Sequence, residues 1–132
     1  MTPENLATIH ELYDAMNRKD LATLQRLAAE HPDHRWRNAP DMPEPAERDG
    51  RSGLAYAANL FETWDLIHTT VRDVIEVGPD AAIFRVHHRA RGAASGVDTE
   101  REEVHLWFTR DGRIVRMEEF LTVDEARRAV AA

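Results

Sequence analysis

The sequence has no cysteine, which excludes disulfide frameworks, thiolate metal sites and cysteine nucleophiles. No apolar run approaches the roughly 20 residues of a membrane span, and none looks like a signal-peptide core. Positive charge is in deficit. Lys and Arg total 17 against 24 Asp and Glu, a formal net charge of −7, and Lys19 is the one lysine. An acidic surface repels phosphate backbones, and no basic stripe interleaves with aromatics, so neither nucleic acid nor membrane is an expected partner. Internal repeats and low-complexity tracts are absent, and the cytoplasm is the expected location.

What is present is a globular composition, 42% hydrophobic and 31% charged over 132 residues. That length sets the expectation of a single domain, 1–132. Such a domain buries enough apolar surface to fold without a metal or a disulfide.

The first half has helical periodicity. Thr2 then Pro3 is a start signal, a hydroxyl cap followed by proline in the first turn. Leu6, Ile9, Tyr13 and Met16 then share one face. Asp20 caps a second helix with a stripe of Leu21, Leu24, Leu27 and Ala28, and Pro32 stops it. His34–Asn38 reads as a short strand. Residues 39–50 hold three prolines and five charged side chains, which suits neither helix nor strand and makes a candidate lid. Ser52 is the expected cap of a third helix, with Leu54, Ala57, Ala58, Phe61 and Trp64 inward.

After Trp64 the period becomes two. Strands are expected at Ile67–Val77, Ala82–Ala90, Val97–Thr109 and Arg113–Leu121, separated by Gly-, Pro- and Asp-rich turns. Thr122 with Glu125 forms a capping box that starts a terminal helix. Helices followed by a hairpin-connected sheet argue an α+β fold. Long hairpins twist and curl. A curved antiparallel sheet wrapped around three N-terminal helices then forms a cone with an open mouth, a usual place for a small ligand.

The element order, the Trp36–Pro43 stretch, the Tyr13-centred first helix and the run HLWFTRDGRIVRMEEF (His105–Phe120) resemble the SnoaL-like branch of the nuclear transport factor 2-like superfamily. The resemblance implies a cone-shaped α+β barrel and a homodimer formed through the outer sheet face. Its members include polyketide cyclases, ketosteroid isomerases, scytalone dehydratases, epoxide hydrolases and non-enzymatic binders, so the fold does not choose a chemistry.

Strand alternation nominates the cavity residues. A four-residue turn at 93–96 pairs Phe84 with His105 and His88 with Arg101. Ala82, Phe84, Val86 and His88 then face inward, as do Arg101, Glu103, His105, Trp107 and Thr109. A loop at Arg110-Asp111-Gly112 with glycine in a bulge pairs His105 with Met117 and Glu103 with Glu119, placing Val115, Met117, Glu119 and Leu121 inward. The opposite set, Val104, Leu106, Phe108, Ile114 and Phe120, is also apolar and must be covered, which makes it the natural dimer surface. A one-residue slip exchanges the faces, so whether Glu118 or Glu119 lines the cavity depends on register.

The expected function is binding of a small, largely apolar organic molecule in the cone. One form of it is acid–base chemistry without a cofactor, as in an isomerase, cyclase or dehydratase. The catalytic candidates are His105, Glu119 and His88, since a carboxylate orients an imidazole and stabilises its charged form. A pocket histidine pair with a phenol from Tyr13 is an arrangement the resemblance to scytalone dehydratases implies. Tyr13, Met16, Trp36, Asn38, Phe61, Trp64, Phe84, Glu103, Trp107 and Met117 are the candidate ligand-binding residues, the aromatics as walls for a planar molecule. Asn38 falls where the resemblance implies an aspartate base in ketosteroid isomerases, and an amide cannot take up a proton at neutral pH. Ligand capture without chemistry, or a filled dimerisation domain, is therefore the alternative. No metal site is expected, because His87 and His88 point to opposite faces and no other pair has compact ligand spacing. The glycines at 92 and 96 belong to a hairpin rather than to a phosphate loop.

Overall fold

The computed structural model describes residues 1–42 and 47–131. The middle of the candidate lid, residues 43–46, lies outside the described residues. The elements run α1 (Pro3–Arg18), α2 (Leu21–Glu30), β1 (Arg35–Arg37), β2 (Glu47–Arg48), α3 (Gly50–Thr63), β3 (Trp64–Gly78), β4 (Ala81–Gly92), β5 (Asp98–Arg110), β6 (Arg113–Phe120) and α4 (Val123–Ala131). The fold is α+β, with one six-stranded sheet in the order β2-β1-β6-β5-β4-β3.

Capping chemistry sets the helix starts. The Thr2 hydroxyl accepts the Asn5 N–H at 3.1 Å, and the Asp20 carboxylate accepts that of Thr23 at 3.1 Å. α3 starts earlier than expected, because Asp49 and not Ser52 is its cap. The Asp49 carboxylate accepts the Ser52 N–H and the Ser52 hydroxyl accepts the Asp49 N–H, a reciprocal box that extends the helix back to Gly50. Lys19 closes α1 in the left-handed region (φ 56°). Its ammonium donates to the carbonyls of Phe61 and Trp64 at 3.1 and 2.6 Å, capping α3 where the chain turns into β3.

The sheet is curved and mixed. Register shifts at Trp64/Leu66, Val71/Asp73 and Glu76/Gly78 bend β3 along its partner β4. β1 lies parallel to β6, pairing Trp36 with Met117, so the sheet is not purely antiparallel. The lid segment carries a two-residue strand, β2, which pairs antiparallel with β1.

The β4–β5 register is the expected one, with Phe84 opposite His105 and His88 opposite Arg101. The β5–β6 register differs by two residues: His105 faces Glu119 and Trp107 faces Met117. A tighter turn and a bulge on β6 each contribute one residue. Asp111 and Gly112 both have positive φ (53° and 76°) and form a two-residue loop in place of a three-residue one. The slip is even, so Met117 and Glu119 keep their face. The pairing jumps from Phe108↔Arg116 to Thr109↔Ile114, leaving Val115 as the unpaired bulge residue. This turns Ile114 inward, against its expected outward position. Leu121 lies beyond the end of β6 and is 43% exposed, not inward.

Two cores result. Ile9, Tyr13, Ala82, Phe84, Val86, Trp107, Ile114 and Met117 pack between α1 and the inner sheet face. On the outer face, Ala81, Ile83, Val104 and Leu106 are buried under Ala126 of α4, with Phe108, Phe120, Val123 and Val130 around them. The second apolar face is thus covered within one chain by the terminal helix.

Candidate functional site

The inner face and the helices enclose an open-mouthed cavity of about 410 Å³, within the usual range for small-molecule sites. Tyr13, Met16, Trp36, Asn38, Trp64, His88, Glu103, His105, Trp107, Met117 and Glu119 line it. Phe84 and Phe61 do not. Phe84 is fully buried behind the wall against Tyr13 and Trp107, and Phe61 packs with the α1–α2–α3 cluster. Glu118 points outward and pairs with Arg116. Sequence reasoning missed the apolar contributions of Leu12, Leu24, Tyr56 and Leu60, and the polar ones of His31, His34 and Thr69.

A directed hydrogen-bond chain crosses the floor. Trp107 Nε1 donates to the Tyr13 hydroxyl at 3.0 Å, and that hydroxyl lies 2.6 Å from His105 Nδ1. His105 Nε2 lies 2.9 Å from Glu103 Oε1. His88 Nε2 lies 2.9 Å from the same oxygen, and His88 Nδ1 is 2.8 Å from the Thr69 hydroxyl. Asn17 holds the Thr69 backbone on both sides, accepting its N–H and donating to its carbonyl. With an Nε2–H directed at Glu103 from each ring, every link is satisfied, the Tyr13 and Thr69 hydroxyls donating to the two Nδ1 atoms.

Glu103 is the hub, and the strand geometry explains why. It sits diagonal to His88 across the β4–β5 pair and two residues before His105 on the same face of β5. His105 was expected to pair with Glu119. Its partner is Glu103, and Glu119 Oε2 stands off at 3.8 Å. The Glu119 carboxylate is held instead by the Ala39 N–H (2.9 Å) and by Trp36 Nε1 (3.0 Å). Arg101 Nε lies 2.9 Å from Glu103 Oε2 but off the hydrogen-bond direction, an ion-pair contact, while its Nη2 reaches Asp41 at 3.0 Å.

The two buried carboxyls have opposite surroundings. Burial pushes Glu103 up, yet the hydrogen bonds and charges of His105 and His88 together outweigh it and hold this group well below the usual carboxylate range. For Glu119, burial dominates and the Glu103 charge adds to it. The His105 charge and the Ala39 and Trp36 bonds only partly offset them, so its pKa is raised. Burial also lifts the Tyr13 phenol well above its ordinary value, with the Trp107 bond opposing and the Glu119 and Glu103 charges adding. Asn38 accepts a hydrogen bond from Arg48 and is no proton acceptor. Arg48 in turn lies over the rings of Tyr56 (3.9 Å) and Trp36 (5.2 Å).

The expected absence of compact ligand spacing needs correction. His88, Glu103 and His105 offer ligand atoms within 4.8 Å of one another. Linear spacing hides them because the hairpin, not the local sequence, brings residue 88 to 105.

The curved sheet and its helices form a cone with a polar floor and aromatic walls. The family model for the SnoaL-like domain matches residues 9–117, and the chain belongs to that family. An NTF2-like protein of unknown function from Burkholderia pseudomallei is 24% identical, covers 99% of this chain and 100% of its own, and has a TM-score of 0.71. IdmH, a putative polyketide cyclase from Streptomyces antibioticus, is also 24% identical, with the same coverage and a TM-score of 0.70. An LEH-like epoxide hydrolase from M. tuberculosis has a TM-score of 0.74 at 12% identity, covering 98% and 91%. No curated protein matches the chain. Among the described residues, no helix is long and apolar enough to cross a membrane.

Proposed function

We propose that the chain binds a small, largely apolar organic molecule in this cavity and moves a proton on it, as an isomerase, cyclase or dehydratase does, with Glu119 as the proton-exchanging group. The observation that carries this reading is the pair of buried carboxyls on one cavity wall, one tied into a saturated network and one free of it. Glu103 is committed to two imidazoles and Arg101. Glu119 receives two N–H bonds, which leaves lone pairs for a ligand proton beside an aromatic wall. Both ring nitrogens of His105 and of His88 are engaged within the protein. Their part in this reading is therefore to fix Glu103 and Tyr13, rather than to act as the first base. Structures described as a putative polyketide cyclase and an LEH-like epoxide hydrolase share the fold, which supports chemistry on small organic molecules.

Capture without conversion is the second reading. Asn38 in place of an acid and the saturated histidines favour it. The test uses the tryptophans, since all three of the sequence line the cavity. Planar cyclic ketones and polyketide-like aromatics are titrated by fluorescence quenching, and conversion is followed by chromatography. The expected result is saturable quenching by wild type and Glu119→Gln alike, with conversion by wild type alone. Binding without conversion by either protein supports capture.

Homodimerisation is part of the same proposal. Because α4 covers Val104 and Leu106, a second copy would meet the charged part of the outer face around Arg85 and His87. Sedimentation with and without Arg85→Glu tests that.

A further inference from the structure

We propose that His88 Nε2, His105 Nε2 and Glu103 Oε1 form a binding site for one first-row divalent transition-metal ion, opening into the cavity. This goes beyond the proton-transfer reading and does not depend on it. Three observations carry the proposal. The ligand atoms converge within 4.8 Å, Glu103 and His105 are buried, and all three residues line the cavity. Two imidazoles and one carboxylate on neighbouring strands, lining an open cavity, are the donor set of a mononuclear site for Zn²⁺, Fe²⁺, Mn²⁺ or Co²⁺.

The second observation is what holds the rings. In metal sites the ring nitrogen away from the ion is bonded to a fixed partner, which sets tautomer and orientation. Here His88 Nδ1 faces the Thr69 hydroxyl, anchored through Asn17, and His105 Nδ1 faces the Tyr13 hydroxyl, anchored by Trp107. Both hydroxyls can accept as well as donate. When the ring protons sit on Nδ1, the hydroxyls accept them and both Nε2 lone pairs are free for an ion.

Charge is the third. Arg101 is the nearby cation, and Asp41 pairs with it at 3.0 Å. Its Nε contact falls on Glu103 Oε2, leaving Oε1 as the oxygen that meets both rings. Glu119 stands 3.8 Å from His105 Nε2. The wall thus holds two carboxyls and one already paired guanidinium.

The experiment is isothermal titration of chelator-treated full-length protein with ZnCl₂ and with CoCl₂, with no organic ligand present, so its result is separate from that of the turnover test. The expected result is one ion per chain and a Co²⁺ visible spectrum showing nitrogen ligation. His88→Ala, the least buried ligand change, and Glu103→Gln abolish the binding, and circular dichroism checks that each variant is folded. Thr69→Val weakens binding about 10- to 100-fold by releasing the His88 ring. His87→Ala, on the opposite face of the same strand, leaves it unchanged. Absence of saturable binding overturns the proposal. So does binding that survives both His88→Ala and Glu103→Gln, because the ion then sits elsewhere on the protein.

Discussion

Lowering the pH from 7 to 4.5 charges His34 in the unfolded chain long before it charges it in the folded one. The ring lies immediately before β1, stacked on Trp107 with centroids 5.9 Å apart and planes 10° apart. Its Nδ1 is buried without a hydrogen-bond partner. Burial, with a smaller contribution from the His31 charge, lowers its pKa from 6.5 to about 4. The folded state therefore binds fewer protons than the unfolded state between those values, and stability rises with pH across the window. The contribution is full above pH 6.5, is lost as the pH falls toward 4, and is flat below. Each pKa unit is worth about 1.4 kcal/mol, so the shift corresponds to about 3 kcal/mol over the whole window. His34→Phe keeps the stacking and removes the titration. Urea denaturation of both proteins from pH 7.5 to 4 is the assay. The variant is expected to lose about 2–3 kcal/mol less than wild type between pH 7 and 4.5. Parallel stability curves would refute the reasoning, because they mean that His34 titrates normally and is not desolvated in the fold.

Other perturbations test other parts. Glu119→Gln should keep ligand quenching and reduce turnover by about 10²- to 10⁴-fold in steady-state assays. Lys19→Met removes the ammonium that caps α3 and should cost about 1–3 kcal/mol by chemical denaturation. Phe84→Ala opens a hole behind Tyr13 and Trp107 and should cost about 3–5 kcal/mol. Ala126→Asp places a carboxylate among Ile83, Val104 and Leu106. A lowered melting temperature with newly exposed apolar surface, read by dye binding, is expected.

The inner and outer faces were legible because strand parity survives an even slip. The 93–96 turn sets the β4–β5 register, so His88, Glu103 and His105 could be placed on one face from spacing alone. The β5–β6 pairing was not legible in full. Asp111-Gly112 can serve a two- or a three-residue loop, and the extra residue at Val115 that turns Ile114 inward has no local signal. Periodicity showed that Val104 and Leu106 needed a cover. Composition did not tell a second copy from the chain's own α4. The hub role of Glu103 was equally hidden, because it depends on a diagonal contact to His88 and on Trp36 and Ala39 claiming Glu119. Asn17 anchors Thr69, the partner of His88, across 52 positions of sequence, a relation no local pattern carries.

The most direct test of the proton-transfer account is hydrogen exchange on a bound ketone. Protein and 2-tetralone are incubated in D₂O, with binding verified by tryptophan quenching, and deuterium at the α-carbon is measured by mass spectrometry. Enzyme-dependent incorporation above the buffer rate, abolished by Glu119→Gln, is expected. Binding of the ketone with no exchange above buffer, or with equal exchange by the variant, would contradict it.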